Sequence, residues 1–187
     1  MYPFLRLAYQ LSVSRKAPPL APLGTHVSHH RCWPLDLDMF LELNNGRTLT
    51  IYDLGRIPAA RRVGLIAALR KNRWGMTMAG ASVRYRARIR VFDRLEMRSR
   101  LVGWDARFFY LEQSLWRGGT CCNQIVYRAA ITGRDGIVPA ERLMAALGQD
   151  GPSPEMPRWV QAWIDADNTR PWPPEEAPQP ARPPAAA

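Results

Sequence analysis

Apolar and polar residues alternate without a break between Ala81 and Phe92, in the stretch ASVRYRARIRVF. The apolar positions are Val83, Tyr85, Ala87, Ile89 and Val91, and the polar positions between them are Arg84, Arg86, Arg88 and Arg90. A period of two residues is typical of a β-strand, because successive side chains point to opposite faces. The pattern therefore predicts a strand that covers a core with one face and carries arginine on the other.

Four further stretches have strand composition. THVSHHRCWP (25–34) precedes the arginine-rich strand, and EMRSRLVGW (96–104), RFFYLEQSLW (107–116) and CCNQIVYRAAITG (121–133) follow it. Turn signals separate the later stretches at 93–94, 105–106 and 118–119. Such short connections predict a meander of antiparallel strands.

Residues 44 to 72, between the first strand and the rest, read as helix instead. Asn44 and Asn45 are both suitable N-caps for a helix that ends near Gly55, and Pro58 is suited to begin a second one. PAERLMAALG (139–148) and PEMPRWVQAWIDADN (154–168) predict two short helices after the strands. The chain is therefore expected to have an α+β fold in which a curved antiparallel sheet covers one helix.

The two ends differ from this central domain, which we place at residues 25–169. Residues 1–24 form a basic, apolar arm, and as a helix they would carry most apolar side chains on one side. We expect this arm to pack on its own domain or on a partner subunit; contact with a membrane surface is the alternative. Residues 170–187 are rich in proline and predict a disordered tail.

Length and charge narrow the class of protein. The 187 residues, of which 47% are hydrophobic and 22% charged, suffice for one globular domain. The net charge of +10 comes almost entirely from arginine, since Lys16 and Lys71 are the only lysines. Such a charge favours anionic partners, among them nucleic acid, anionic lipid and nucleotide-bearing compounds such as coenzyme A.

Cysteine and histidine give no sign of a metal site or a cofactor. Cys32, Cys121 and Cys122 cannot all pair within one chain, which favours a reducing, cytoplasmic setting. His26 and His30 would share one face of a strand, but no third ligand stands near them. We therefore expect neither a bound metal nor a resident cofactor.

The stretch with the most chemical content is DLDMFLELNNGRTLTIYDLGR, from Asp36 to Arg56, which places two carboxylates just ahead of a helix N-terminus. The first N–H groups of a helix have no intrahelical acceptor and favour negative charge. A carboxylate beside them could activate water against a carbonyl group whose oxyanion they stabilise. The plainer alternative is that both acids are loop and cap residues.

This stretch resembles the hotdog-fold thioesterases, in particular the branch of 4-hydroxybenzoyl-CoA thioesterase and related acyl-CoA thioesterase-like proteins. The family pattern is Asp-x-Asp, five residues that often include histidine, and then Asn-Asn at the start of the central helix. The resemblance continues through GASVRYRARIRVFDRLEMRSRLVGWDARFFYLEQ and covers roughly residues 25 to 135. It implies a curved sheet wrapped around one helix, hydrolysis of an acyl-CoA, and a homodimer or higher oligomer.

The resemblance also implies roles for individual residues. Asp38 matches the catalytic acid, the N–H of Asn45 matches the oxyanion donor, and Asp36 is the neighbouring carboxylate that orients the loop. The residues expected to contact the substrate are Asn44, Arg73, Arg88 and Arg90. Asn44 also fits a simple cap, and Asp53 is a second acid whose plainer role is an ion pair with a nearby arginine.

Two departures from the family pattern weaken the expectation of activity. Glu42 stands where the family often has histidine, and Thr48 stands where an aromatic residue often follows. A noncatalytic protein that binds acyl chains or acts as a scaffold at a membrane is therefore the second hypothesis. Nucleic-acid binding ranks third, because the alternation places Tyr85 on the face opposite the arginines.

Overall fold

The computed structural model describes residues 2–174. Its helices are α1 (Phe4–Arg15), α2 (Asn45–Arg62), α3 (Leu65–Asn72), α4 (Ala140–Ala146) and α5 (Arg158–Asn168), and its strands are β1 (His26–Arg31), β2 (Gly75–Tyr85), β3 (Arg94–Trp104), β4 (Phe108–Arg117), β5 (Thr120–Gly133) and β6 (Gly136–Val138). The chain divides into two compact units, one ending at Met156 and the other beginning at Pro157.

The strands of the first unit form one antiparallel sheet in the order β1-β3-β4-β5-β2, with the short β6 added to β5. The predicted meander of β3, β4 and β5 is confirmed, and α2 packs against the sheet around a core that includes Ile51, Leu54 and Met97. This is the curved sheet around a central helix that the resemblance to the hotdog fold implied. β6 was not predicted, because three residues carry too little periodic pattern.

The arginine-rich strand was predicted over the wrong residues. β2 begins at Gly75 and ends at Tyr85, where the N–H groups of Arg86 and Ala87 both turn to the carbonyl oxygen of Cys122, at 2.8 and 3.0 Å. The ladder stops there, so of the four alternating arginines only Arg84 lies on the strand. The alternation of burial continues in the irregular segment only as far as Ile89, which is in the core, whereas Val91, predicted on the covered face, is exposed.

The central helix is longer than predicted. α2 runs through Pro58 to Arg62, and the predicted break between Gly55 and Pro58 is wrong. Proline keeps a helical φ, and its missing N–H leaves only one carbonyl of the preceding turn unbonded. Pro58 is buried in the core face of the helix, so packing outweighs that loss. The helix ends instead before Gly64, whose φ of +82° suits glycine.

Part of the N-terminal arm forms helix α1, and this helix packs on the rest of the first unit. Its polar side chains make hydrogen bonds: Gln10 donates to the carbonyl oxygen of His29 at 2.9 Å, and Arg6 donates to that of Arg31 at 2.9 Å. Leu7 packs against the core. α1 therefore covers the free edge of β1. Most of its apolar side chains, including Leu5, point away from the sheet.

The second unit is described up to residue 174 and contains α5. This helix begins at Arg158, later than the stretch that predicted it, because Pro157 occupies the N-cap. Residues 175–187, most of the predicted tail, lie outside the described residues. Within residues 2–174, no helix has both the length and the apolar composition required to span a membrane.

Candidate functional site

The side chain of Asn44 caps the N-terminus of α2. Asn44 Oδ1 accepts a hydrogen bond from the N–H of Arg47 at 2.9 Å, and the carbonyl oxygen of Asn44 accepts one from the N–H of Thr48 at 2.8 Å. Asn44 is thus the N-cap. Among the described residues, the N–H groups of Asn45 and Gly46 have no acceptor, so two donors remain at the positive end of the helix.

A short hairpin brings the acidic loop to this helix end. Leu37 and Leu43 form a β-bridge, and the N–H of Asp38 donates to the carbonyl oxygen of Glu42 at 2.9 Å. Leu41 turns the tip with a positive φ of 57°. One carboxylate oxygen of Asp38 accepts from the N–H of Phe40 at 2.9 Å, while its other oxygen accepts no hydrogen bond from the described residues.

Asp36 anchors the base of this hairpin. It is 1% exposed, and its carboxylate accepts from the guanidinium groups of Arg6 and Arg47, each at 2.7 Å, and from the N–H of Trp33 at 2.9 Å. Burial alone would raise the pKa of Asp36, but these donors outweigh it and lower the pKa. Both carboxylate oxygens are engaged, so Asp36 positions the loop and leaves Asp38 as the acid with a free oxygen.

A cavity of about 220 Å³ lies at this end of α2. Its lining includes Glu42, Asn45, Thr48, Tyr85, Arg88 and Asn123. Glu42 Oε2 pairs with Arg88 Nε at 3.2 Å, and the hydroxyl of Tyr85 donates to the carbonyl oxygen of Asn45 at 3.3 Å. The cavity thus combines helix N–H donors, a carboxylate and arginine, a set suited to a polar, anionic substrate.

The structure brings together only part of the predicted site. Asn45 and Arg88 line the cavity, and Asp38 lies in the adjoining hairpin. Arg90 lies outside the lining, in a turn where its N–H donates to Asp93 Oδ2 at 2.7 Å. Arg73 is the C-cap of α3 and precedes the first residue of β2, whereas Tyr85 is the last residue of that strand. Because an 11-residue strand spans roughly 35 Å, Arg73 lies far from the cavity.

Tyr85 and Asn123 were missed as site residues. The alternation had assigned Tyr85 to the covered face, but the strand ends there and its ring is exposed at the cavity. Asn123 is buried, and its Oδ1 accepts from the hydroxyl of Tyr52 at 2.6 Å. A single asparagine within the apolar stretch CCNQIVY was a signal for it, because a buried amide requires a partner.

A second, apolar cavity of about 70 Å³ lies under the C-terminal half of α2. Its lining includes Ala60, Val63, Phe109, Ala129 and Met144. It is bounded by the helix on one side and by the inner face of the sheet on the other. Its chemistry suits a hydrocarbon chain, whereas the cavity at the helix N-terminus suits polar groups.

The surroundings of the cysteines and of His26 and His30 indicate structural roles. The three cysteines are free, and burial raises the pKa of Cys32 to about 11, which disfavours a thiolate. His26 Nδ1 accepts from Arg62 at 2.9 Å, and His30 Nε2 shares a hydrogen bond with the hydroxyl of Ser28 at 2.8 Å. Within the described part of the chain, no three histidine, cysteine or acidic residues could jointly hold a metal.

Comparison with known families gives one match over most of the chain. The model of the thioesterase-like superfamily matches residues 32–164. Protein THEM6 of Xenopus laevis is 31% identical over 134 residues, which are 70% of this chain and 63% of the frog protein. Protein THEM6 of Drosophila melanogaster is 30% identical over 138 residues, 72% of this chain and 69% of the fly protein. The match thus spans less than two thirds of the frog relative.

Solved structures share the fold at low sequence identity. The probable thioesterase YbaW of Escherichia coli superposes with a TM-score of 0.62 at 15% identity, covering 65% of this chain and 96% of that one. Slr0204 of Synechocystis, a 1,4-dihydroxy-2-naphthoyl-CoA thioesterase, superposes with a TM-score of 0.57 at 12% identity, covering 66% and 95%. These likenesses show a shared architecture of sheet and central helix.

Proposed function

The chain belongs to the thioesterase-like superfamily, and on that premise we propose that it hydrolyses an acyl-CoA thioester to the free acid and coenzyme A. The observation that carries the proposal is the end of α2: two helix N–H groups without acceptors beside a hairpin that holds Asp38. Thioester hydrolysis requires both a carboxylate that activates water and donors for the oxyanion.

In this proposal Asp38 is the general base. Its free carboxylate oxygen takes a proton from water while the water oxygen attacks the thioester carbonyl. The N–H of Asn45 stabilises the oxyanion that forms, and the C–S bond then breaks to release the thiolate of coenzyme A, which is protonated. The alternative is direct attack by Asp38 on the carbonyl, which breaks the C–S bond, releases the thiolate of coenzyme A and gives a mixed anhydride that water cleaves.

Asp36 and Asn44 only position the groups that act on the substrate. Asp36 holds the base of the hairpin through Arg6 and Arg47, and Asn44 fixes the start of α2 as its cap. Each orients a group that acts on the substrate, Asp36 through the loop of Asp38 and Asn44 through the donor of Asn45. Their loss would misplace the donors and the acid relative to each other.

Arginines near the cavity would contact the nucleotide phosphates of coenzyme A. Arg88 is the first choice because it lines the cavity and remains largely exposed beside Glu42. Arg90, two residues further along the chain, is the second. Arg73 has no part in this proposal, since it lies at the other end of β2. The apolar cavity under α2 supports an acyl group as the other half of the substrate.

We further propose that the chain acts as a homodimer. α1 covers the outer edge of β1, whereas the outer edge of β2 has no partner among the described residues. Residues 75–83 of β2 carry no charge, so this edge lacks the usual protection against pairing. A second copy could cover it edge to edge.

We propose the cytoplasm as the compartment of the protein, because its free cysteines suit a reducing environment.

A second candidate function is acyl binding without hydrolysis. The observation that favours it is the ion pair between Glu42 and Arg88, which adds a second carboxylate and takes up an arginine at the cavity. A protein of this kind would still bind an acyl chain in its apolar cavity. It would release no thiol.

The test is hydrolysis of an acyl-CoA panel, from short to long chains and from aliphatic to aromatic, followed by release of free thiol. Wild type is compared with Asp38→Asn and with Asp135→Asn, which removes a carboxylate from the exposed turn before β6. We expect a fall of at least about 100-fold for Asp38→Asn and wild-type rates for Asp135→Asn. Full activity in Asp38→Asn would refute its role, and absence of turnover on every thioester would favour the binding protein.

A further inference from the structure

Two arginines face each other on the outer surface of the sheet without a counter-charge. Arg31 of β1 and Arg94 of β3 are directly paired in the antiparallel ladder, and both side chains are exposed. Neither forms an ion pair with any described residue. Like charges in directly opposite positions of a ladder are unfavourable, so this pair suits an external anion.

The pair lines a cleft of about 760 Å³ whose other walls combine polar and charged residues with apolar and aromatic ones. Leu5 and Tyr9 of α1 border it and are 88% and 65% exposed, and Trp33 and Trp116 also line it. Leu5 and Tyr9 lie one turn apart, so they point the same way. Tyrosine and tryptophan are the side chains that favour the boundary between water and lipid.

The charge around this cleft is positive. Residues 1–35 contain no acidic residue, and α1 ends with Arg15 and Lys16. The acid within the cleft, Glu96, already pairs with Arg98 at 2.7 Å and lies 3.9 Å from His29. Phosphate binds readily to paired guanidinium groups, and the apolar rim requires a partner that carries hydrocarbon next to its phosphate.

We propose that this face of the protein docks on the surface of an anionic phospholipid bilayer. A lipid phosphate lies between Arg31 and Arg94, and Leu5 and Tyr9 enter the interfacial region beside it. We choose an anionic membrane as the partner because residues 1–35 contain basic residues and no acidic ones, and their charge is therefore complementary to such a surface. The inference is independent of hydrolysis, because it uses none of the residues at the N-terminus of α2.

The test is sedimentation of the full chain with vesicles of phosphatidylcholine, with and without about 30% phosphatidylserine. We expect binding to the anionic vesicles that weakens as salt rises, and none to neutral vesicles. Arg94→Glu and Leu5→Glu should each reduce binding by about tenfold, because one loses a phosphate contact and the other an apolar contact. Arg134→Glu, in the turn before β6, is the control with the same charge change and should bind as wild type.

Four results would overturn the proposal: no binding to anionic vesicles, equal binding to both vesicle types, wild-type binding by Arg94→Glu, or wild-type binding by Leu5→Glu. Addition of coenzyme A or inorganic phosphate distinguishes a soluble ligand from a lipid headgroup. If either at micromolar concentration displaced the protein from vesicles, the cleft would be assigned to a soluble phosphate. Asp38→Asn should bind vesicles normally, so failure of the proposed hydrolysis would leave this result unaffected.

Discussion

Asp38 and Glu42 lie opposite each other in the hairpin before α2, because the N–H of Asp38 donates to the carbonyl oxygen of Glu42 at 2.9 Å. Opposite positions in such a pair carry their side chains on the same side. The proposed catalytic carboxylate therefore has a second carboxylate beside it, and Arg88 partly neutralises that second charge at 3.2 Å. Substitutions at Glu42 should therefore affect both Asp38 and Arg88.

Glu42→Gln should lower KM for acyl-CoA by about threefold, since an exposed ion pair of this kind is worth at most about 1 kcal/mol. The amide keeps the shape of the side chain but frees Arg88 for the nucleotide phosphates. Steady-state kinetics on acyl-CoA and on the matching acyl-pantetheine, which lacks those phosphates, measure the effect. Arg88→Ala should raise KM for acyl-CoA alone. An equal change in KM for both substrates would contradict this role of Arg88.

Asp36→Ala should destabilise the protein by about 3 kcal/mol, because it leaves Arg6 and Arg47 partly buried without their shared carboxylate. Chemical denaturation measures the free energy of unfolding, with Asp135→Ala as the control for an exposed carboxylate. Since the pKa of Asp36 is lowered on folding, its contribution is present above its unfolded pKa of about 3.9 and is lost as pH falls through the folded value. A loss below about 1 kcal/mol at pH 7 would show that the anchor is dispensable.

A lysine on the outer edge of β2 should separate the proposed homodimer. Ala81 is exposed on this uncharged strand, and two copies paired edge to edge would bring two lysines together in Ala81→Lys. Light scattering should give the mass of a dimer for wild type and of a monomer for the variant. Ala106→Lys, in the turn between β3 and β4, should remain a dimer. A monomeric wild type would refute the assembly.

Local signals in the sequence were sufficient for most of the fold. The turns between β3, β4 and β5 depend on neighbouring residues, and they were predicted. An N-cap at Asn44 or Asn45 was predicted as well, and the structure has it at Asn44. The errors arose where tertiary contacts outweigh local preference. α2 continues through Pro58 because that residue packs in the core, and β2 ends at Tyr85 because the next two N–H groups share one carbonyl of β5.

The candidate site could be predicted only where it is continuous in sequence. Asn45 lies within the motif and was placed correctly at the start of α2. Tyr85 and Asn123 come from β2 and β5, and only the folded sheet brings them to the same cavity. Arg73 was chosen for its charge, and charge alone gives no information on which end of a strand a residue adjoins.

The two buried histidines of β1 should make stability depend on pH. Burial, followed by the charge of Arg62, lowers the pKa of His26 to about 4, and burial, followed by the charge of Arg6, lowers that of His30 to about 3. In the unfolded chain both have a pKa near 6.5. Between these values the unfolded state binds more protons than the folded one, so protonation favours unfolding.

The free energy of unfolding should therefore fall by about 3 kcal/mol between pH 6.5 and pH 5, at a limiting slope of about 1.4 kcal/mol per pH unit for each histidine. Denaturation at a series of pH values measures this slope. His30→Gln should remove about half of it, whatever its effect on stability at pH 7. His29→Gln is the matched control, because this side chain lies on the same strand but is 79% exposed. An unchanged slope in His30→Gln would show that His30 is protonated in the folded protein, and that its burial among Ser28 and the core does not exclude the charge.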